Sequence, residues 1–137
     1  MREKIKVTNA LLAQVAASAE RDEALSLAEY EQRAMALAIY PDRGTKSITE
    51  LSYVTLGLVG EAGEVAEKVK KVIRDKAGVI DEATRDLLIK EAGDVCWYLM
   101  ALARVLDCSL ETVLRCNLEK LESRKARGVL GGSGDAR

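Results

Sequence analysis

No histidine occurs anywhere in the 137 residues. That absence removes Ser-His-Asp and Cys-His catalysis, the common zinc sites and the Glu-x-x-His pairs of di-iron helical bundles. A metal site in this chain must be built from oxygen ligands, which favours Mg2+, Mn2+ or Ca2+. Proline occurs once, at Pro41, so little interrupts a helix. The three cysteines, Cys96, Cys108 and Cys116, form no CxxC motif and fall in apolar sequence, which predicts reduced thiols in a cytoplasm. With 21 basic against 22 acidic residues, the chain lacks the basic excess of a dedicated nucleic-acid binder. No apolar run approaches the ~20 residues that cross a bilayer. The N-terminal stretch MREKIKVTNALLAQVAASAERDE is broken by Gln14 and reads as a helix rather than a secretion signal.

What is present is helical periodicity, with no strand-like alternation. The expected class is all-α: a bundle of four to five helices in a single domain over 1–137, with N-terminal helices in 1–44, a core over 45–127 and a Gly-rich tail at 128–137. A first helix is expected at about 4–20. A second runs over about 27–39, with Ser26 and Glu29 as a capping box, and is stopped by YPDRG at 40–44. A long third helix runs from near Thr49 to about Lys76 and closes at Ala77-Gly78. Asp81 caps a fourth to about Leu106, and Ser109 caps a fifth to about Arg127. The tail GVLGGSGDAR is too glycine-rich for regular structure.

Two pentapeptides echo each other, EAGEV from Glu61 and EAGDV from Glu91, each with a glycine that costs a helix roughly 1 kcal/mol relative to alanine. At about 100° per residue, the apolar stripe of the third helix is Leu51, Val54, Leu58, Val65, Val69 and Val72, and that of the fourth is Leu88, Ala92, Val95, Leu99, Leu102 and Leu106. Measured from Leu58, Glu61 falls near about −60° and Glu64 near about −120°. Measured from Leu88, Glu91 and Asp94 fall at the same two angles. A short connection makes these helices antiparallel neighbours, so their acid pairs meet across one groove. A single ExxE pair is usual on a solvated helix face, but Glu61 within an apolar stripe and the matched second pair are not. Four carboxylates in a partly dry place must take up protons, pair with cations or bind metal. Few cations share the edge; Lys68 and Lys71 do. Glu67 points away and reads as solvated. Gly57, Gly60, Gly63 and Gly93 thin the two helices and permit close approach of backbone or ligand.

On the fifth helix, Leu110, Leu114, Leu118 and Leu121 form the stripe, and Asn117, Lys120 and Arg124 occupy the equivalent edge. Acids that hold metal beside cations that hold anions suggest a phosphorylated substrate, although snorkelling basic residues give the same pattern. Trp97 lies opposite the fourth helix's stripe, exposed in a monomer unless it packs on a partner subunit, on the N-terminal helices or on a nucleobase.

The segments GLVGEAGEVAEKVKK, KEAGDVCWYLMALA and NLEKLESRKARG resemble the MazG-type nucleotide pyrophosphohydrolases of the all-α nucleoside triphosphate pyrophosphatase superfamily. The resemblance covers roughly 45–127, and RKARGVLGGSGD is similar to the ending of phage and mobile-element members. It implies an enzyme, a hydrolase converting (d)NTP and water to (d)NMP and pyrophosphate, in house-cleaning or nucleotide-pool control. It implies Mg2+, with Mn2+ as a substitute, on Glu61, Glu64, Glu91 and Asp94. Glu61 is the expected general base, and Asn117, Lys120, Arg124 and Lys68 are the expected substrate-binding residues. Many members have two adjacent acids at the first motif, where this chain has Gly60 before Glu61. The implied assembly is a cytoplasmic homodimer or homotetramer that binds a nucleoside triphosphate and neither nucleic acid nor membrane. A non-catalytic nucleotide- and metal-binding regulatory module, or a relative acting on dUTP or phosphoribosyl-ATP, are the competing expectations.

Overall fold

The computed structural model describes residues 24–129 and residue 131, so the helix expected over 4–20 and most of the Gly-rich tail lie outside the described residues. Four helices make up the described chain: α1 Leu27–Ala36, α2 Ile48–Asp75, α3 Glu82–Val105 and α4 Leu110–Ala126. There is no strand among the described residues, as the periodicity predicts. None of these helices is long and apolar enough to cross a membrane.

Each helix begins where a short polar side chain can satisfy an orphan backbone donor. The Glu29 N–H donates to Ser26 Oγ at 3.2 Å, Glu50 N–H to Ser47 Oγ at 3.1 Å, Thr84 N–H to Asp81 Oδ1 at 2.8 Å, and Thr112 N–H to Ser109 Oγ at 3.1 Å. The first helix is shorter than expected, ending at Ala36 rather than near 39, because the chain must turn inward to bury Ala38 and Tyr40. Between α2 and α3, Ala77 and Gly78 both take positive φ, and the Gly78 N–H reaches back to the Val72 carbonyl at 3.1 Å. Lys76 Nζ then ties the turn to Asp81 and Thr84, at 2.9 and 2.6 Å.

The turn folds α2 back against α3, and this antiparallel pair is the dominant helix contact. α3 also meets α1 and α4, and α1 meets α4. The apolar core sits at the end of the hairpin away from its turn. Ala38, Tyr40, Val54, Ala101 and Val105 form one buried group; Ala34, Met100 and Leu110 form another. Trp97 and Met35 pack against both.

Several stripe positions are corrected. In α2 the buried or half-buried residues are Glu50, Leu51, Val54, Gly57, Leu58, Glu61, Val65, Lys68 and Val72, while Val69 is 41% exposed. In α3 the buried or half-buried residues up to Val95 are Thr84, Leu88, Glu91 and Val95; beyond it burial spreads over Trp97, Tyr98, Leu99, Met100, Ala101, Leu102, Ala103 and Val105, while Ala92 and Leu106 are exposed. Burial on α2 and on the first half of α3 reaches beyond the sequence stripe to the acid edge. Glu61 and Glu91 therefore sit in the contact itself. On α4 only Leu110 is buried; Leu114, Leu118 and Leu121 are 46%, 56% and 40% exposed. Trp97 is not outward. It packs edge-on to Tyr40 and Tyr98, with centroids 6.0 and 4.9 Å apart, so the N-terminal segment is what covers it. Cys96 and Cys116 are exposed rather than in apolar surroundings, and all three thiols are free.

Two buried carboxylates, Glu31 and Glu50, hold the periphery to the hairpin. Glu50, 2% exposed, accepts from Tyr40 Oη at 3.1 Å, Gly44 N at 2.7 Å and Lys46 N at 2.7 Å, pinning the loop before α2 to its first turn. Burial alone would raise its pKa, but the donors from Gly44, Lys46, Tyr40 and Thr45 together hold it below the ordinary glutamate value. Glu31 Oε1 accepts the Leu110 N–H at 2.6 Å and so caps α4 from α1.

Of the α2 and α3 glycines, Gly57 alone has a packing reason within the chain. A Cβ there would overlap the ring of Tyr98, whereas Gly60, Gly63 and Gly93 face open space. Gly57→Ala is expected to lower stability by about 1–3 kcal/mol in urea unfolding. Gly60→Ala, with nothing to meet, should gain up to ~1 kcal/mol from helix propensity. Because the folded pKa of Glu50 is depressed, its stabilisation is present above the unfolded value of about 4.3 and lost as pH falls through the folded value. Glu50→Gln should therefore flatten the acid limb of a melting temperature–pH curve while lowering stability at pH 7 by on the order of 3 kcal/mol.

Candidate metal and phosphate site

Midway along the hairpin the seam changes from hydrocarbon to charge. α2 contributes Glu61 and, one turn on, Glu64; α3 contributes Glu91. Each offers a carboxylate oxygen, and these oxygens all lie within 4.8 Å of one another. Glu61 and Glu91 are half-buried and Glu64 is exposed, so the group opens to solvent on one side. Burial pushes the Glu61 carboxyl above the ordinary glutamate value; the negative charges of Asp94, Glu64 and Glu91 push it further, against Lys68. Asp94, exposed one turn beyond Glu91 on α3, is not in the three-oxygen group but makes the largest of these charge contributions. Burial, and after it nearby negative charge that includes Asp94, raises the Tyr30 and Tyr98 phenols.

Lys68 lies inside this arrangement. Its Nζ is 2.7 Å from Glu91 Oε1 and 3.5 Å from Glu64 Oε2, which joins the two helices and both acid motifs through one ammonium. The hydrogen bonds that Lys68 donates to Glu91, and then to Glu64, hold its pKa above the usual value despite partial burial. Lys71 instead pairs with Glu67 at 3.0 Å on the surface. That pairing lowers the Glu67 pKa and agrees with Glu67 as a solvated residue.

The polar residues expected on the fifth helix lie on α4, which makes no backbone contact with α2. Asn117 and Lys120 are exposed on α4 and line a cavity of about 510 Å³ with Leu99, Val113, Leu114 and Cys116, which contains none of the four acids. Arg124 is half-buried further along α4. No α2–α4 backbone contact brings these side chains to the α2 acids.

Chemically, the donor set is oxygen only, with three carboxylates against one ammonium. It suits a hard divalent cation and offers nothing to a soft one. Sequence reasoning missed Glu31 and Glu50 as structural acids. Glu50 was legible in part, since Ser47-Ile-Thr-Glu50 has capping-box spacing. Its side chain passes beyond Ser47 to Lys46, Gly44 and Tyr40, a reach no spacing announces.

The profile of the MazG nucleotide pyrophosphohydrolase domain matches residues 49–129, which takes in α2 from its second residue, all of α3 and all of α4. The chain is also similar to the Gene 37 protein of Mycobacterium phage L5, with 59% identity over 109 residues, 79% of this chain and 96% of that protein. No solved structure matches significantly. With its two acid motifs facing across the hairpin of an all-α fold and the profile spanning more than half its length, the chain belongs to the MazG nucleotide pyrophosphohydrolase domain family.

Proposed function

We propose that the protein is a Mg2+-dependent nucleoside triphosphate pyrophosphohydrolase, converting (d)NTP and water to (d)NMP and pyrophosphate in house-cleaning or nucleotide-pool control. The observation that carries this reading is the gathering of Glu61, Glu64 and Glu91 from both motifs of a pyrophosphohydrolase family, with oxygens within 4.8 Å. Glu61, Glu64, Glu91 and Asp94 would hold the cation, and Mn2+ would satisfy the same donors. When bound, the cation neutralises and orients the triphosphate oxygens and acidifies water.

The chain's own residues supply the rest. Glu61 is half-buried in the seam, and its raised pKa suits a general base taking a proton from water. Lys68, beside Glu64 and Glu91, is the nearest donor to a polyphosphate on α2. Asn117, Lys120 and Arg124 bind the nucleotide from α4. Since α4 stands apart from α2 and its leucine row is uncovered, a homodimer or homotetramer that brings α4 of one copy to the acids of another is the assembly this reading expects. Three free thiols fit a cytoplasmic enzyme.

Incubation of the full chain with a panel of canonical and modified (d)NTPs, including dUTP, and phosphoribosyl-ATP should release monophosphate and pyrophosphate from at least one of them, with activity abolished by EDTA and restored by Mg2+. Nucleotide-dependent stabilisation without turnover of any substrate would instead indicate a regulatory module. Glu91→Gln should lower kcat/KM by at least about 100-fold, as expected when several kcal/mol of charge stabilisation is lost. Undiminished turnover in that variant would reject the metal assignment.

A further inference from the structure

Lys68 differs from every other lysine of the hairpin in what it touches. Lys71, one turn on, makes an ordinary i,i+4 pair whose two side chains are 51% and 50% exposed. Lys68 is 21% exposed, and its closer partner, Glu91 on the other helix, is 14% exposed. Its second contact, Glu64, is also a member of the three-carboxylate group. One ammonium thus spends its N–H donors on oxygens drawn from both acid motifs. A carboxylate oxygen engaged by an ammonium has lost part of its lone-pair capacity for a cation, and two like charges in a partly desolvated groove repel.

We infer that Lys68 is a built-in counter-cation of the acidic group, which occupies Glu64 and Glu91 in competition with the divalent metal and is displaced when the metal enters. The inference rests on the proposed metal role of those acids. It gives Lys68 two successive partners. With Glu64 and Glu91 it screens repulsion that would otherwise push α2 and α3 apart. Once displaced, it remains on the acid-bearing edge of α2 as a free donor for a phosphate oxygen.

The consequence is a sign that a simple ligand-orienting or packing role would not give. Removing the ammonium should weaken the fold in EDTA yet tighten metal binding. An ammonium docked for about nine-tenths of the time lowers apparent affinity about tenfold, so its removal should restore that factor. The test is a Mn2+ titration of the full-length protein, without nucleotide, read by the electron paramagnetic resonance signal of free Mn2+, together with thermal unfolding in EDTA. Lys68→Met should bind Mn2+ about tenfold more tightly than the parent and melt roughly 3–6 °C lower in EDTA. Lys71→Met should change neither. Lys68→Gln, which keeps a neutral donor for Glu91, should show the same gain in affinity with a smaller loss in melting temperature, and it serves if the Met variant does not fold. Mn2+ affinity unchanged or reduced in both Lys68 variants, with binding still lost in Glu91→Gln, overturns this inference and leaves the metal assignment standing. Absence of Mn2+ binding in the parent and all variants overturns both.

Discussion

Between Val54 at one end and Val72 at the other, the seam of the α2–α3 hairpin carries Glu61, Lys68 and Glu91 where an ordinary helix pair would carry hydrocarbon. Charges there would separate the helices if nothing else held them. Two locks do. At the turn, Lys76 binds Asp81 and Thr84 beside the buried Val72. At the far end, Tyr40, Val54, Ala101 and Val105 form the apolar anchor, with Trp97 and Tyr98 against it. The charged stretch hangs between these fixed points, which is what keeps the carboxylates of two helices within reach of one cation.

The periphery serves the same constraint. α1 and the loop before α2 cover the anchor and are themselves tied down by Glu31 and Glu50. Both carboxylates satisfy backbone donors at helix N-termini or in the preceding loop, where negative charge is electrostatically favoured. The acidic character of the chain is therefore divided by role. Glu31 and Glu50 are consumed by the fold, Glu67 is solvated, and the seam acids retain capacity for a ligand. The exposed faces of α2 and α4, with Ile73 69% and Leu118 56% exposed, carry apolar area the chain alone does not bury.

Membership of a pyrophosphohydrolase family and the geometry of the seam point to the same chemistry by separate routes. The family match covers the three helices that hold all the candidate site residues. The phage relative shares 59% identity over 109 residues. Within one chain Glu61, Glu64 and Glu91 are gathered, and α4 makes no backbone contact with α2.

Sequence alone determined the elements. Helix starts at Ser26, Asp81 and Ser109, the start expected near Thr49 and capped two residues earlier by Ser47, and the stop near Gly78 depend on neighbours a few residues away, so local chemistry suffices to place them. Helical phase also brought Glu61 and Glu91 toward one groove, because a period and a short turn constrain which edges meet. Tertiary structure alone decided how far burial extends toward the acid edge, the covering of Trp97 by the N-terminal segment, and the choice of Lys68 over Val69 as a seam residue. The physical reason is that hydrophobic patterning records all the burial a residue undergoes, without saying against what. Val69, Leu114, Leu118 and Leu121 read as core yet stand uncovered here. A lysine reads as surface until a carboxylate from another helix arrives to meet it.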